Sequence, residues 1–178
     1  MAESDCYDQD NISLKLADYN DIFSDFDPRP YSDRALSVDF LSEAKRASID
    51  KPSGQIELRL MVPKKLRKPG VEEVIKKRLK NHFERHARKI KLQNKKILRN
   101  GSIFTASGIG IMLVATFVLF GYSQTNIFNH FLTILFEPAG WFLFWEGLDQ
   151  VVFESKKTGP ELEFYEKMAK SDINFISC

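Results

Sequence analysis

Ile12, Leu14 and Leu16 alternate with polar neighbours in ISLKLA, and Ile56, Leu58, Leu60 and Val62 do the same in QIELRLMV. A period of two marks a half-buried strand, because successive side chains leave opposite faces. Between these stretches the spacing predicts a helix from Ser37 to about Ile49, with Ser37 capping it and Asp39 and Glu43 near its positive end. Pro52, Ser53 and Gly54 read as the turn into the second strand, and Pro63 ends that strand.

After Pro69 and Gly70 the period changes. Val71, Val74, Ile75, Leu79, Phe83, Ala87, Ile90 and Ile97 fall on one stripe at helical spacing, completed by Asn94. Nothing breaks this helix before Gly101, so it is expected to run into residues 103–122, IFTASGIGIMLVATFVLFGY. Those uncharged residues match the ~20 needed to cross a ~30 Å hydrocarbon core. A second apolar stretch runs from Ile127 to about Phe153, and only SQTN separates the two. So short a link forces an antiparallel hairpin. Gly159 and Pro160 open a last helix over about 161–170, and the tail INFIS is placed to add a third strand.

The expected fold is a small α+β cytoplasmic domain of two to three strands with helices, attached to a two-span transmembrane α-helical hairpin. A long basic helix leads into the first span. The divisions are an acidic tail (1–10), the first part of the cytoplasmic domain (11–70), the basic helix (71–101), the first span (102–122), an external turn (123–126), the second span (127–153) and a cytoplasmic helix and strand (154–178).

Charge sharpens this picture. Residues 1–50 carry twelve acidic and five basic side chains, residues 64–99 carry fifteen basic and three acidic, and residues 102–136 carry none. The formal net charge of +2 is therefore a cancellation. Lys91, Lys95, Lys96 and Arg99 precede the first span, Lys156 and Lys157 follow the second, and the turn has no basic residue. The positive-inside rule then puts both termini in the cytoplasm, with Tyr122 anchoring the outer interface. The expected location is the plasma (inner) membrane of a prokaryote. The six basic residues are expected to meet anionic lipid headgroups. A nucleic-acid partner is disfavoured, because the basic run adjoins a span. The more distal charges suit the acidic N-terminal segment, in the same subunit or a neighbour.

Little in the chain points to chemistry. Cys6 and Cys178 read as free thiols, and the acidic N-terminus has no apolar core of a secretory signal. His82 and His86 are four apart in HFERH, but the zincin pattern places Glu where Phe83 stands, and no third ligand follows. No metal site, cofactor or catalytic set is expected, and the chain is read as a non-enzyme. Ser102, Ala106 and Gly110, with Gly108 nearby, form a ridge of small residues suited to helix packing, within the hairpin or between subunits. Segment 25–34, DFDPRPYSDR, reads as a loop held by local ion pairs or as a docking loop.

Glu137 and Pro138 lie in LFEPAGWFLFWEGLD, with Trp141 and Trp145 one turn apart on the Glu137 side. A carboxylate well inside a bilayer costs about 2.5–3.5 kcal/mol. Three roles stay open for it: a hydrogen-bonded group at a proline kink, an acidic ring around a cation path, and a contact to a partner. The pair resembles the acidic pore signature of mitochondrial calcium uniporters, which also carry a hairpin preceded by a long helix. That signature has an Asp one turn before the Glu, where this chain has Thr133, so no residue role is carried over.

The function that follows is an integral membrane protein that anchors and assembles a small cytoplasmic domain, as a homo-oligomer or with a protein partner. The alternatives are an oligomeric cation channel or transporter lined by Glu137, and an accessory subunit of a larger membrane complex.

Overall fold

The computed structural model describes residues 11–49, 51, 56–121 and 127–177. In order they form β1 (Ile12–Lys15), a 3-10 turn (Tyr19–Ile22), α1 (Val38–Ile49), β2 (Glu57–Val62), a second 3-10 turn (Lys64–Leu66) and α2 (Pro69–Gly121). Then come α3 (Ile127–Asp149), a π-helical segment (Gln150–Glu154), α4 (Ser155–Lys157), α5 (Gly159–Lys170) and β3 (Asp172–Ser177). The chain is mostly helical, with one small three-stranded sheet and one long apolar helix. It divides into two compact units, residues 1–89 with 161–178, and residues 90–160. The expected turn at Pro52–Gly54, both cysteines, Tyr122 and the link at 123–126 lie outside the described residues.

In the first unit the sheet order is β1-β2-β3, with both pairs parallel. Leu14 pairs with Leu60, and Leu60 with Phe175. Parallel pairing follows from connectivity: α1 carries the chain from the end of β1 back to the start of β2. The expected third strand is present as β3, and it comes from the far end of the sequence.

Alternation along β2 and β3 buries Leu58, Leu60, Val62, Ile173 and Phe175. The α2 stripe supplies Ile75, Leu79 and Phe83, all with no exposed surface, and α5 adds Phe164 and Met168. Phe83 meets Phe164 edge-on, with centroids 6.2 Å apart. Full burial of each such side chain is worth about 1.5–3 kcal/mol. Val74, although on the predicted stripe, is exposed.

Pro69 opens α2, where its missing N–H costs nothing. Glu72, in the first turn, is only 5 % exposed and anchors that end. It accepts hydrogen bonds from Tyr19 Oη at 2.7 Å and from Arg67 Nε and Nη2 at 2.6 and 2.9 Å. Tyr19 Oη in turn accepts from the Lys68 amide at 2.9 Å. The Arg67 guanidinium holds the Glu72 carboxyl below its ordinary range.

Candidate functional site

The second unit is built on an interface between α2 and α3 that approaches too closely for a side chain at Gly101, Gly108 and Gly147. A Cβ placed on Gly108 would lie 2.6 Å from the Phe144 nitrogen and 2.7 Å from the Gly140 carbonyl oxygen. One on Gly101 would lie 2.9 Å from the Gly147 carbonyl oxygen, and one on Gly147 2.6 Å from that of Gly101. The helices therefore touch backbone to backbone, antiparallel, with Gly101 against Gly147 and Gly108 against Gly140.

The spacing explains the seam. Gly101, Gly108 and Ala115 are seven apart on α2, and Thr133, Gly140 and Gly147 are seven apart on α3. Seven residues are nearly two turns, so each set lies on one stripe, and all six are buried. Small residues on such a stripe let helix backbones approach. Thr105 settles its hydroxyl within its own helix, donating to the Gly101 carbonyl at 2.9 Å.

Of the ridge singled out from the sequence, Gly108 belongs to this seam. Ser102, Ala106 and Gly110 are exposed, and nothing lies within 4 Å of a Cβ built on Gly110. The i, i+4 row of small residues does not mark the face of α2 that meets α3. The seven-residue spacing of Gly101/Gly108 and of Gly140/Gly147 was the available signal.

Outside the seam, apolar side chains face outward. On α2 these include Ile103, Ile109, Leu113, Val114 and Phe117, and on α3 Phe128, Phe131, Ile134, Leu135 and Phe142. Among the described residues α2 is the one helix long and apolar enough to cross a membrane. The 23-residue α3 carries Glu137, Glu146 and Asp149.

Glu137 is exposed and makes no hydrogen bond or ion pair among the described residues. Pro138 is also exposed, and α3 continues through it. Trp141 and Trp145 stack with centroids 6.3 Å apart, and Phe144 lies edge-on to both at 6.0 Å. Glu137, Trp141 and Trp145 follow one another at single turns along one side of α3. Lys91, Lys95, Lys96, Arg99, Lys156 and Lys157 are exposed, and Lys157 pairs with Glu154, which raises its pKa.

In the first unit His82 and His86 stack with centroids 4.0 Å apart, and His86 stacks on Tyr165 of α5 at 5.1 Å. His82 Nε2 is buried and has no hydrogen-bond partner among the described residues. Burial, then the neighbouring His86 and Arg78, push His82 down to about 4. Among the described residues no group of three His, Cys, Asp or Glu side chains gathers as a metal site.

The loop before α1 is firmly held. The Asp27 carboxylate accepts from Arg29 Nε and Nη2 at 2.9 and 2.7 Å and from the Ala35 amide at 2.7 Å. Arg34 donates to the Ser24 carbonyl at 3.0 Å and to Asn20 Oδ1 at 2.9 Å. Phe26 projects from this framework, 97 % exposed.

No protein family, curated protein or solved structure matches this chain.

Proposed function

We propose that the chain is an integral membrane protein that anchors a small sheet domain at the cytoplasmic face of a prokaryotic plasma membrane and assembles it into a homo-oligomer. In this reading the apolar part of α2 crosses the bilayer outward and α3 returns, zipped together by the glycine seam. The observation that carries it is the run of outward-facing apolar side chains on both helices. Soluble monomers rarely leave large contiguous apolar patches bare to water. In lipid such a surface is at home.

The sheet supports placing both chain ends on one side. β2 precedes the two apolar helices and β3 follows them, yet they pair directly. A two-span hairpin brings the chain back to the side where it began. Lys91, Lys95, Lys96, Arg99, Lys156 and Lys157 would then flank the cytoplasmic interface, each worth about 1 kcal/mol of attraction to anionic lipid. The assembly role is supported by Phe26, an aromatic anchor on a pre-ordered loop, the kind of group that dominates protein interfaces.

Glu137 favours a second reading, a ring that passes cations. Its carboxylate has no partner among the described residues and lies on a helix rich in exposed apolar side chains, so a neighbouring copy or a water-filled path would relieve its cost in a bilayer.

Native mass spectrometry of the intact particle from nanodiscs tests the assembly. A closed homo-oligomer supports it, and a lone monomer overturns it. If a ring forms, cation flux in liposomes that Glu137→Gln abolishes supports conduction, and unchanged flux removes Glu137 from the path.

A further inference from the structure

Between α2 and the start of β3 lies a hollow of about 300 Å³. Lys76, Lys77, Lys80 and Asn81 line its helix side, with Glu73 one turn earlier, and Ser171 and Ile173 line its sheet side. We propose that this hollow binds a phosphate monoester, presented by a small soluble molecule or by a lipid headgroup.

The spacing brings the lysines together. Lys76 and Lys80 are four apart and Lys77 and Lys80 three apart, so Lys80 neighbours both on the helix surface, and the hollow is lined by three ammonium groups against a single carboxylate. Lys76 is already positioned: its Nζ donates to Asn174 Oδ1 at 3.2 Å, and Asn174 Nδ2 donates to Glu57 at 2.6 Å. Lys77 and Lys80 are exposed and have no carboxylate in salt-bridge range among the described residues. Their ammonium groups are free to turn inward.

The sheet adds a backbone donor. Among the described residues β3 is an edge strand, and the Asp172 amide donates to the Ile56 carbonyl at 3.2 Å, toward β2. Along a parallel strand successive residues turn their backbone groups to opposite sides. The Ile173 amide therefore points to the free edge, where Ile173 lines the hollow. Ser171 Oγ donates to the Met168 carbonyl at 2.9 Å and keeps its lone pairs for accepting a hydrogen bond.

Three ammonium groups, the Asn81 amide and an edge N–H outnumber what two carboxylate oxygens can accept. They match the three terminal oxygens and double charge of a phosphate monoester. Glu73 and Ser171 can accept from hydroxyls on the body of the ester. The volume lies at the small end of ligand pockets, which excludes a dinucleotide.

The test uses the full chain in phosphatidylcholine nanodiscs, following the Ile173 amide by NMR. One arm titrates glycerol 3-phosphate, and the other adds separate vesicles in which part of the phosphatidylcholine is replaced by phosphatidic acid. A saturable shift in the first arm alone identifies a soluble ester, and in the second alone a headgroup. Lys77→Gln with Lys80→Gln is expected to weaken binding about tenfold or more, while the charge-matched pair Arg85→Gln with Lys89→Gln, outside the hollow, changes it by less than about twofold. All four side chains are exposed, so neither pair disturbs the core. Absence of a saturable shift in both arms overturns the proposal. So does equal weakening by the two pairs, which would mean diffuse attraction to the basic helix.

Discussion

Gly108 of α2 lies so close to Gly140 of α3 that a Cβ on Gly108 would come within 2.7 Å of the Gly140 carbonyl oxygen. The atoms in the way are backbone, which cannot swing aside as the end of a long side chain can. Position 108 therefore accepts no side chain without pushing the helices apart, whereas two positions further on Gly110 faces open space.

This contrast makes a paired prediction. Gly108→Leu is expected to destabilise the helix pair by about 1–3 kcal/mol or more, the usual cost of overpacking. Gly110→Leu should leave its stability nearly unchanged. Thermal unfolding in one detergent compares them. If Gly110→Leu lowers the particle mass without lowering the unfolding midpoint, the exposed Ser102/Ala106/Gly110 ridge is a contact between copies.

Glu72 ties three segments of the first unit together through Tyr19, Arg67 and the start of α2. Glu72→Gln keeps the shape but withdraws the charge opposite Arg67, and should cost about 1–3 kcal/mol in chemical denaturation. Tyr19→Phe should cost less, because it leaves the Arg67 pair intact. A neutral result for Glu72→Gln would mean that water replaces the lost partner without penalty.

His82 gives the first unit an acid sensitivity of defined sign. Its folded-state pKa of about 4 lies below the ordinary 6.5. As pH falls between those values the unfolded chain takes up a proton that the folded chain resists, so stability is present above about 6.5 and is lost toward 4. Glu72 acts in the same direction at lower pH, since its carboxyl is held below the ordinary range. Urea midpoints measured from pH 7 to pH 4 should fall in the wild type and fall less in His82→Phe. Parallel slopes would show that His82 does not titrate differently on unfolding.

Phe26 touches almost nothing in its own chain, so Phe26→Ser should leave the unfolding midpoint within about 0.5 kcal/mol, as for other surface changes. Native mass spectra should nevertheless show a smaller or looser particle. An unchanged particle would remove Phe26 from the assembly surface.

Much of the first unit was legible in the sequence because its elements repeat cleanly. Period two at Leu58, Leu60 and Val62 marked β2, and helical spacing at Ile75, Leu79 and Phe83 marked the face of α2 that fills the core. The parallel sheet order was not legible, because it depends on pairing β3 with a strand more than a hundred residues earlier. The seam was missed for a different reason. Ser102, Ala106 and Gly110 make a conspicuous small-residue row, but a pattern on one helix cannot say which row its partner chooses. Only matching it with the equal spacing of Gly140 and Gly147 does so. The Phe26 loop and the lysine hollow were also beyond the sequence, since each depends on residues that folding brings together.

The two-span hairpin with both ends on one side is the central claim, and thiol accessibility in sealed membrane vesicles tests it most directly. With Cys6 and Cys178 replaced by Ser, single cysteines are placed at Ser37, Gln124 and Lys156 and exposed to a membrane-impermeant reagent. The hairpin predicts that position 124 reacts from one side of the membrane, and positions 37 and 156 only from the other. Reaction of all three from the same side, without opening the vesicles, would contradict it.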